Sequence, residues 1–259
     1  MSSSARRALK ILAAVGESGR PMGVTEIART LGIAPGTAFR GLDALQNAGL
    51  LARQPSASRF VLGPATLGLR QSLLSLFRIR DVCLPYLRQL ASASGETSAL
   101  HVRIGWYAAR VAVVPGTAEM TSGAVLKGAQ LLSAEAAGQA ILAYLPRNQV
   151  ARFLNWTSTR GIVIPGGLER GLADLRSRGF AAESGPDLGV LAVPIRKSDQ
   201  AFASITVERM GFSDAAEAND RIAEVRAIAT ALEALVRANP ELCRQPFEHI
   251  EPDDFVLPS

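Results

Sequence analysis

The stretch TEIARTLGIAPGTAFRGLDALQNAGLLAR, Thr25 to Arg53, decides how the first third of the chain is read. Thr25 is placed to cap a short helix whose apolar face is Ile27, Ala28 and Leu31, closed by Gly32. A second helix starts near Pro35, since a first helical turn has no use for the missing N–H. Ala38, Leu42 and Leu45 recur at helical spacing as its inner stripe, which turns Gly36, Arg40, Asp43 and Asn47 outward. Gly49 ends it. LLARQ and RFVLG then form a short hairpin about the polar tip PSAS. Upstream, Ser4 to Glu17 has helical periodicity, and ESGRPMG reads as a loop. Two short helices, a tight turn, a polar outer face on the second helix and a following hairpin compose a winged helix-turn-helix. In such a unit the second helix is narrow enough for the major groove, and the wing reaches an adjacent phosphate or the minor groove.

The chain has 259 residues, 48% hydrophobic and 20% charged, with room for two domains of moderate size. Residues 1–80 carry eleven Lys and Arg against three Asp and Glu, and the remaining 179 carry seventeen against twenty. A basic first third fits a polyanion-binding module joined to something else. A solvated Arg-rich surface gives the same imbalance, and a winged helix used for protein contacts gives the same pattern. The hairpin directly after the helix, together with the charge, favours DNA. No apolar run reaches about eighteen residues, so no membrane span is expected. The segment LKILAAVGE is too short and amphipathic for a signal peptide. Cys83 and Cys243 lie far apart, outside any C-x-x-C, which suggests a reducing compartment and a cytoplasmic protein.

Beyond the wing, Leu67 to Phe77 carries an apolar helical stripe, FRIRD reads as a joint, and Asp81 to Ser94 continues as helix. From Thr97 the period changes. SALHVRI with AARVAVV, and VLAVPI with FASITVE, read as paired strands. SAEAAGQAILAYLP, LERGLADLRSRG and the segment from Ser213, read as a cap, to Pro240 read as helices. The mixture predicts an α+β domain with a mostly antiparallel sheet. The proline-broken, acidic end, 241–259, reads as loosely ordered.

Catalytic chemistry finds little support. His101 falls in a strand, where it reads as a sheet-surface residue, and His249 in the tail, neither with a partner at metal-ligand spacing. Phosphate-binding glycine motifs and G-x-S-x-G are absent. The IPGG at Ile164–Gly167 reads as a plain turn, and Cys83 as a packed thiol. No enzymatic activity, metal or cofactor is expected.

RALKILAAV, GRPMGVTEIARTLG and RFVLG, followed by ETSALHVR, GQAILAYLP, LADLRSRGFAAE and LAVPI…FASITV, appear in an order that resembles the IclR family of bacterial transcriptional regulators over about residues 5–238. The resemblance implies a winged helix-turn-helix at 1–64, a linker helix at 65–79, a GAF-like effector-binding domain at 80–240 and a tail. It also implies a double-stranded DNA operator, a small-molecule effector and a homodimer or homotetramer. The apolar positions Leu9, Ile11, Leu12 and the Leu67–Phe77 stripe point to the same assembly, because one small domain cannot bury them all. The DNA-binding residues would be Thr25, Gly36, Thr37, Arg40, Arg53, Ser56 and Arg59.

The chain also departs from the family. Pro35, Gly36 and Phe39 stand where the recognition helix commonly has Lys, Ser and His. A metabolite sensor with weakened DNA binding is therefore the rival reading. In the second domain Glu135 replaces a usual threonine. Positions matching the family's pocket are Leu126, Gly128, Leu132, Glu183, Asp187, Ser204 and Thr206. Glu183 and Asp187 read equally as surface acids, and Ser204 and Thr206 share one strand face that points to the pocket or to solvent. With Lys127 the only cation near these segments, the acids Glu135, Glu183 and Asp187 favour a neutral or hydroxylated ligand over a simple acid.

Overall fold

The computed structural model describes residues 3–54, 58–117, 128–184, 189–209, 215–244, 246–247 and 250–254. The chain divides into two compact units, the first running to Ser75 and the second beginning at Leu76.

In the first unit, α1 (Ser3–Ser18), α2 (Val24–Leu31) and α3 (Pro35–Asn47) enclose a small core of Ile11, Val15, Ile27, Leu42 and Leu45. Ile11, expected at an interface, is fully buried here. Both helices of the motif end on a left-handed glycine. Gly32, at φ 62°, closes α2, and the Ile33 N–H donates to the Ala28 carbonyl at 3.0 Å. Gly49, at φ 70°, closes α3, and the Leu50 N–H donates to the Leu45 carbonyl at 2.9 Å. These are six-to-one closures that fix where the chain leaves each helix. The hairpin is β2 (Leu51–Gln54) with β3 (Arg59–Leu62), and Leu51 and Phe60 point into the core. The expected loop at ESGRPMG contains a two-residue strand, β1 (Met22–Gly23), on the free edge of β3. Helix α4 (Ala65–Leu74) follows. Leu67, Leu69 and Leu73 are exposed on it.

The second unit opens with α5 (Arg78–Ser94). Its described strands are β4 (Thr97–Ile104), β5 (Tyr107–Val114), β6 (Gln130–Leu131), β7 (Ala181–Ser184), β8 (Gly189–Lys197) and β9 (Gln200–Arg209). They form one antiparallel sheet in the order β6-β5-β4-β9-β8-β7. The helices are α6 (Ala136–Leu142), α7 (Arg147–Thr159), α8 (Leu168–Arg178) and α9 (Ala215–Ala238). Helix α7 is absent from the reading of the sequence, and the Ser213 cap lies outside the described residues. The α5 and α9 side of the sheet is held by Ser98 Oγ donating to the Leu87 carbonyl at 2.8 Å and by Arg196 pairing with Glu233 at 2.8 Å. Cys83 packs here fully buried, and burial pushes its thiol up to about 12.

The other side of the sheet is polar and yet buried. Antiparallel partners share a face, so the pairings set Ser204 beside His101 and Arg110, Thr206 beside Ala99, and Glu208 beside Thr97. Helix α6 lies over this face. Its approach is close, since a Cβ on Gly138 would sit 2.6 Å from the Leu132 carbonyl oxygen. His101, expected at a sheet surface, is buried, with Nε2 3.1 Å from the Thr206 hydroxyl.

The tail differs from its expectation. Its described residues fold onto the second unit, with 3₁₀ turns at Pro240–Cys243 and Pro252–Asp254. Asp253 accepts from Trp106 Nε1 at 2.6 Å and from the Arg152 guanidinium at 2.8 Å. Phe247 packs edge-on to Phe77, whose ring is buried here.

Burial, and then the nearby Arg110 charge, pull the His101 pKa down to about 3. The unfolded chain takes up this proton below about 6.5 and the folded chain does not, so stability falls as pH falls through that window. Trp106 and Trp156 are the chain's two tryptophans, and both lie in the second unit, so their fluorescence reports its unfolding alone. Denaturant titrations should show wild type losing stability faster than His101→Gln below about pH 6.5, the extra slope approaching about 1.4 kcal/mol per pH unit toward pH 5. Parallel pH profiles would show that His101 is protonated in the fold.

Candidate DNA-reading face and effector face

Ala38, Leu42 and Leu45 are buried on α3, so the opposite side of that helix is turned outward. Gly36, Phe39, Arg40, Asp43 and Asn47 are all exposed there, and Thr37 is partly so. Among the described residues Arg40 reaches only the Thr37 hydroxyl, at 3.4 Å, which leaves its fork directed to solvent. Phe39 is 54% exposed, an apolar ring on a polar face. A Cβ added to Gly36 would meet nothing within 4 Å, and its φ is not positive. Neither packing nor backbone geometry therefore asks for glycine at this place. Arg53 stands exposed at the base of the wing and donates to Ser58 Oγ at 2.9 Å. Ser56 lies outside the described residues.

Two expectations at this face need correction. Thr25 is not a cap. Gly23 is the N-cap residue of α2, and the Glu26 carboxylate reaches back to its N–H at 3.4 Å. Arg59 is not a free wing cation. It donates to the Pro21 carbonyl at 3.0 Å and pairs with Glu26 at 3.4 Å, so it ties β3 to the start of α2. Glu26 is also paired with Arg20. That hydrogen bond leads the causes that lower its carboxyl pKa.

In the second unit, the polar sheet face and the start of α6 enclose a small cleft. His101, Ala108, Arg110 and Gln130 line it from the sheet, and Gly128, Glu135, Ala137 and Gly138 from around the start of α6. Arg110 and Glu208 form an ion pair beside it, their side chains 8% and 5% exposed. The sequence reading missed Arg110, which stands within an apolar strand and finds Glu208 only through the fold. Glu183 lies on the same face, in register with Val190 and through it with Glu208. Thr206 is on the face, with its hydroxyl against His101. Ser204 is on the face too, but it donates to the Ala137 carbonyl at 2.9 Å and so seats α6. Leu132 departs from its expected role. It is fully buried in the core between the sheet and α6 to α8 and does not line the cleft. Leu126, Lys127 and Asp187 lie outside the described residues.

Among the described residues no helix is long and apolar enough to cross a membrane, and no group of three or more metal-binding side chains gathers.

Residues 4–55 match the IclR helix-turn-helix domain, and residues 71–234 match the bacterial transcriptional regulator IclR C-terminal domain. The glycerol operon regulatory protein of Streptomyces griseus is 36% identical over 99 residues, covering 38% of this chain and 39% of that protein. The transcriptional repressor IclR of Escherichia coli K12 is 28% identical over 185 residues, covering 69% of this chain and 68% of that protein. Among solved structures, an IclR transcriptional regulator from Alicyclobacillus acidocaldarius aligns with a TM-score of 0.70 at 22% identity, over 90% of this chain and 98% of that one. An IclR homolog complexed with 4-hydroxybenzoate from Microbacterium hydrocarbonoxydans gives 0.71 at 20% identity, over 92% and 100%. At these identities the structural likeness is one of fold. With both of the family's domains matched in order along one sequence, the chain belongs to the IclR family of bacterial transcriptional regulators.

Proposed function

We propose that this chain is a cytoplasmic, ligand-responsive transcriptional regulator, not an enzyme, that binds a double-stranded operator as a homodimer or homotetramer. The observation that carries the reading is the outward face of α3, where Arg40 and Phe39 stand exposed beside a glycine that the fold does not need. An arginine fork suits the acceptor edge of guanine, and an aromatic ring suits a thymine methyl. Gly36 lets the helix start approach the phosphate backbone without a side chain between. Arg53 supplies the wing contact, and Arg59 serves as a brace. A helix-turn-helix reads few base pairs alone, so operators usually need two units. Leu9, Leu67, Leu69, Leu73 and Leu76, between 43% and 67% exposed, supply apolar surface for that pairing.

The effector is proposed to bind on the polar face of the sheet, against His101, Thr206 and the Arg110–Glu208 pair. That arrangement favours a small neutral or hydroxylated molecule. The face already balances its buried charge, and a further carboxylate would stand unpaired beside Glu208. The 4-hydroxybenzoate bound in another protein of this fold supports a small-molecule effector as such; being a carboxylate, it lends nothing to the neutral class.

Two measurements test these assignments. Arg40→Ala should weaken operator binding by about 1–3 kcal/mol in fluorescence anisotropy. Gly36→Ala should leave the fold as stable or raise its stability by up to about 1 kcal/mol, and still weaken operator binding. Unchanged affinity in both variants would place the reading surface elsewhere. In a thermal-shift panel of acids, neutral aromatics and sugars on the full-length chain, a neutral or hydroxylated compound should give the largest shift. Thr206→Val should reduce it. No shift that Thr206→Val reduces, from any compound of the panel, would refute the assigned face, and a simple carboxylate as the one compound whose shift it reduces would refute the ligand class.

A further inference from the structure

A second and larger cavity, about 840 Å³, lies elsewhere in the effector-binding domain and shares no residue with the cleft described above. Its volume is in the range of small-molecule sites. The β4–β5 turn, the start of α7, the β8–β9 turn and the tail surround it.

Arg103 is its central polar feature. Nε donates to the Gly105 carbonyl at 2.9 Å and a terminal nitrogen donates to Gln149 Oε1 at 2.8 Å. The guanidinium carbon lies 5.3 Å from the centre of the Trp106 ring. These partners, all of them neutral, are what meets the charge among the described residues. Burial draws the pKa of this arginine down to about 10, the direction expected of a cation short of solvent and counter-charge. Two more features favour an anion. Lys197 lines the cavity from the β8–β9 turn, and the first turn of α7 presents Asn148 and Gln149, where the helix dipole is positive. Two acids also line it, but Glu251 is engaged with Arg152 at 3.0 Å, and Asp199 is in the exposed turn beside Lys197. Ser198 and Gln200 add polar groups at the β8–β9 turn, and an apolar part of the wall comes from Phe202 of β9 and from Phe247 and Ile250 of the tail.

We propose that this cavity is a second ligand site, for an organic acid with an apolar body. The carboxylate meets Arg103 and Lys197, and the chain or ring lies against Phe202, Phe247 and Ile250. The tail contributes to the site because Asp253, held by Trp106 and Arg152, keeps that wall in place.

The test is calorimetry on the full-length protein with octanoate and, as its neutral counterpart, octan-1-ol. Octanoate should bind saturably, and octan-1-ol about tenfold or more weakly. Arg103→Gln should weaken octanoate by about tenfold or more. Should that variant unfold, Ile250→Asp sets a carboxylate in the wall from a partly exposed tail position and should do the same. Thr206→Val, on the effector face, should leave octanoate unchanged. Three results would overturn the proposal: no saturable binding at millimolar octanoate, equal binding of the alcohol, or a loss in Thr206→Val with Ile250→Asp silent. None of them bears on operator binding.

Discussion

The stripe of Ala38, Leu42 and Leu45 is the constraint on which the reading of the first unit rests. These three side chains sit one and two turns apart and are almost wholly buried in the small core with Ile11 and Ile27. Once they are fixed, the helix has no rotational freedom left, and whatever lies on its other side must face outward. Burial of each large side chain contributes about 1.5–3 kcal/mol, so a rotated helix is not a competitive alternative. Gly32 and Gly49 then set where the helix begins and ends, and Gly49 directs the chain at once into the wing. Apolar packing thus determines which polar groups are offered to DNA.

The second unit depends on a different constraint. A sheet covered on both faces has to satisfy every polar group it buries. Here the Arg110–Glu208 pair, the His101–Thr206 contact and the Ser204 bond to α6 meet much of that need. Removing one partner of such a buried pair costs about 3–5 kcal/mol, because the other charge is left alone. The same constraint gives the face its use. A pre-arranged set of donors and acceptors under a helix can exchange contacts with a small molecule, and what the molecule adds in charge must be matched.

Much of this was legible in the sequence, and the parts that were not share a cause. The helix-turn-helix shows itself by spacing and by glycines at helix ends, which are local signals. The strands of the second unit show themselves by β-branched runs. Strand β1 is only two residues long and exists because β3 offers an edge. Thr25 looked like a cap, but the cap position is decided by where β1 ends, two residues earlier. Arg59 looked like a wing cation, and its partners at Pro21 and Glu26 are more than thirty positions away. His101, Arg110 and the tail follow the same pattern. Asp253 is anchored by a tryptophan 147 positions earlier, which no window of sequence contains. Helix α7 buries Phe153 and Trp156 on its inner face, but its polar and β-branched content hides that period.

The central claim is that α3 reads a specific duplex. The most direct measurement is the affinity of the full-length protein for DNA from upstream of its own operon, against a scrambled duplex of the same length, at several salt concentrations. The account predicts a preference of about a thousandfold or more at physiological salt, with both affinities falling as salt rises. Equal affinity for the two duplexes at every salt concentration would contradict it.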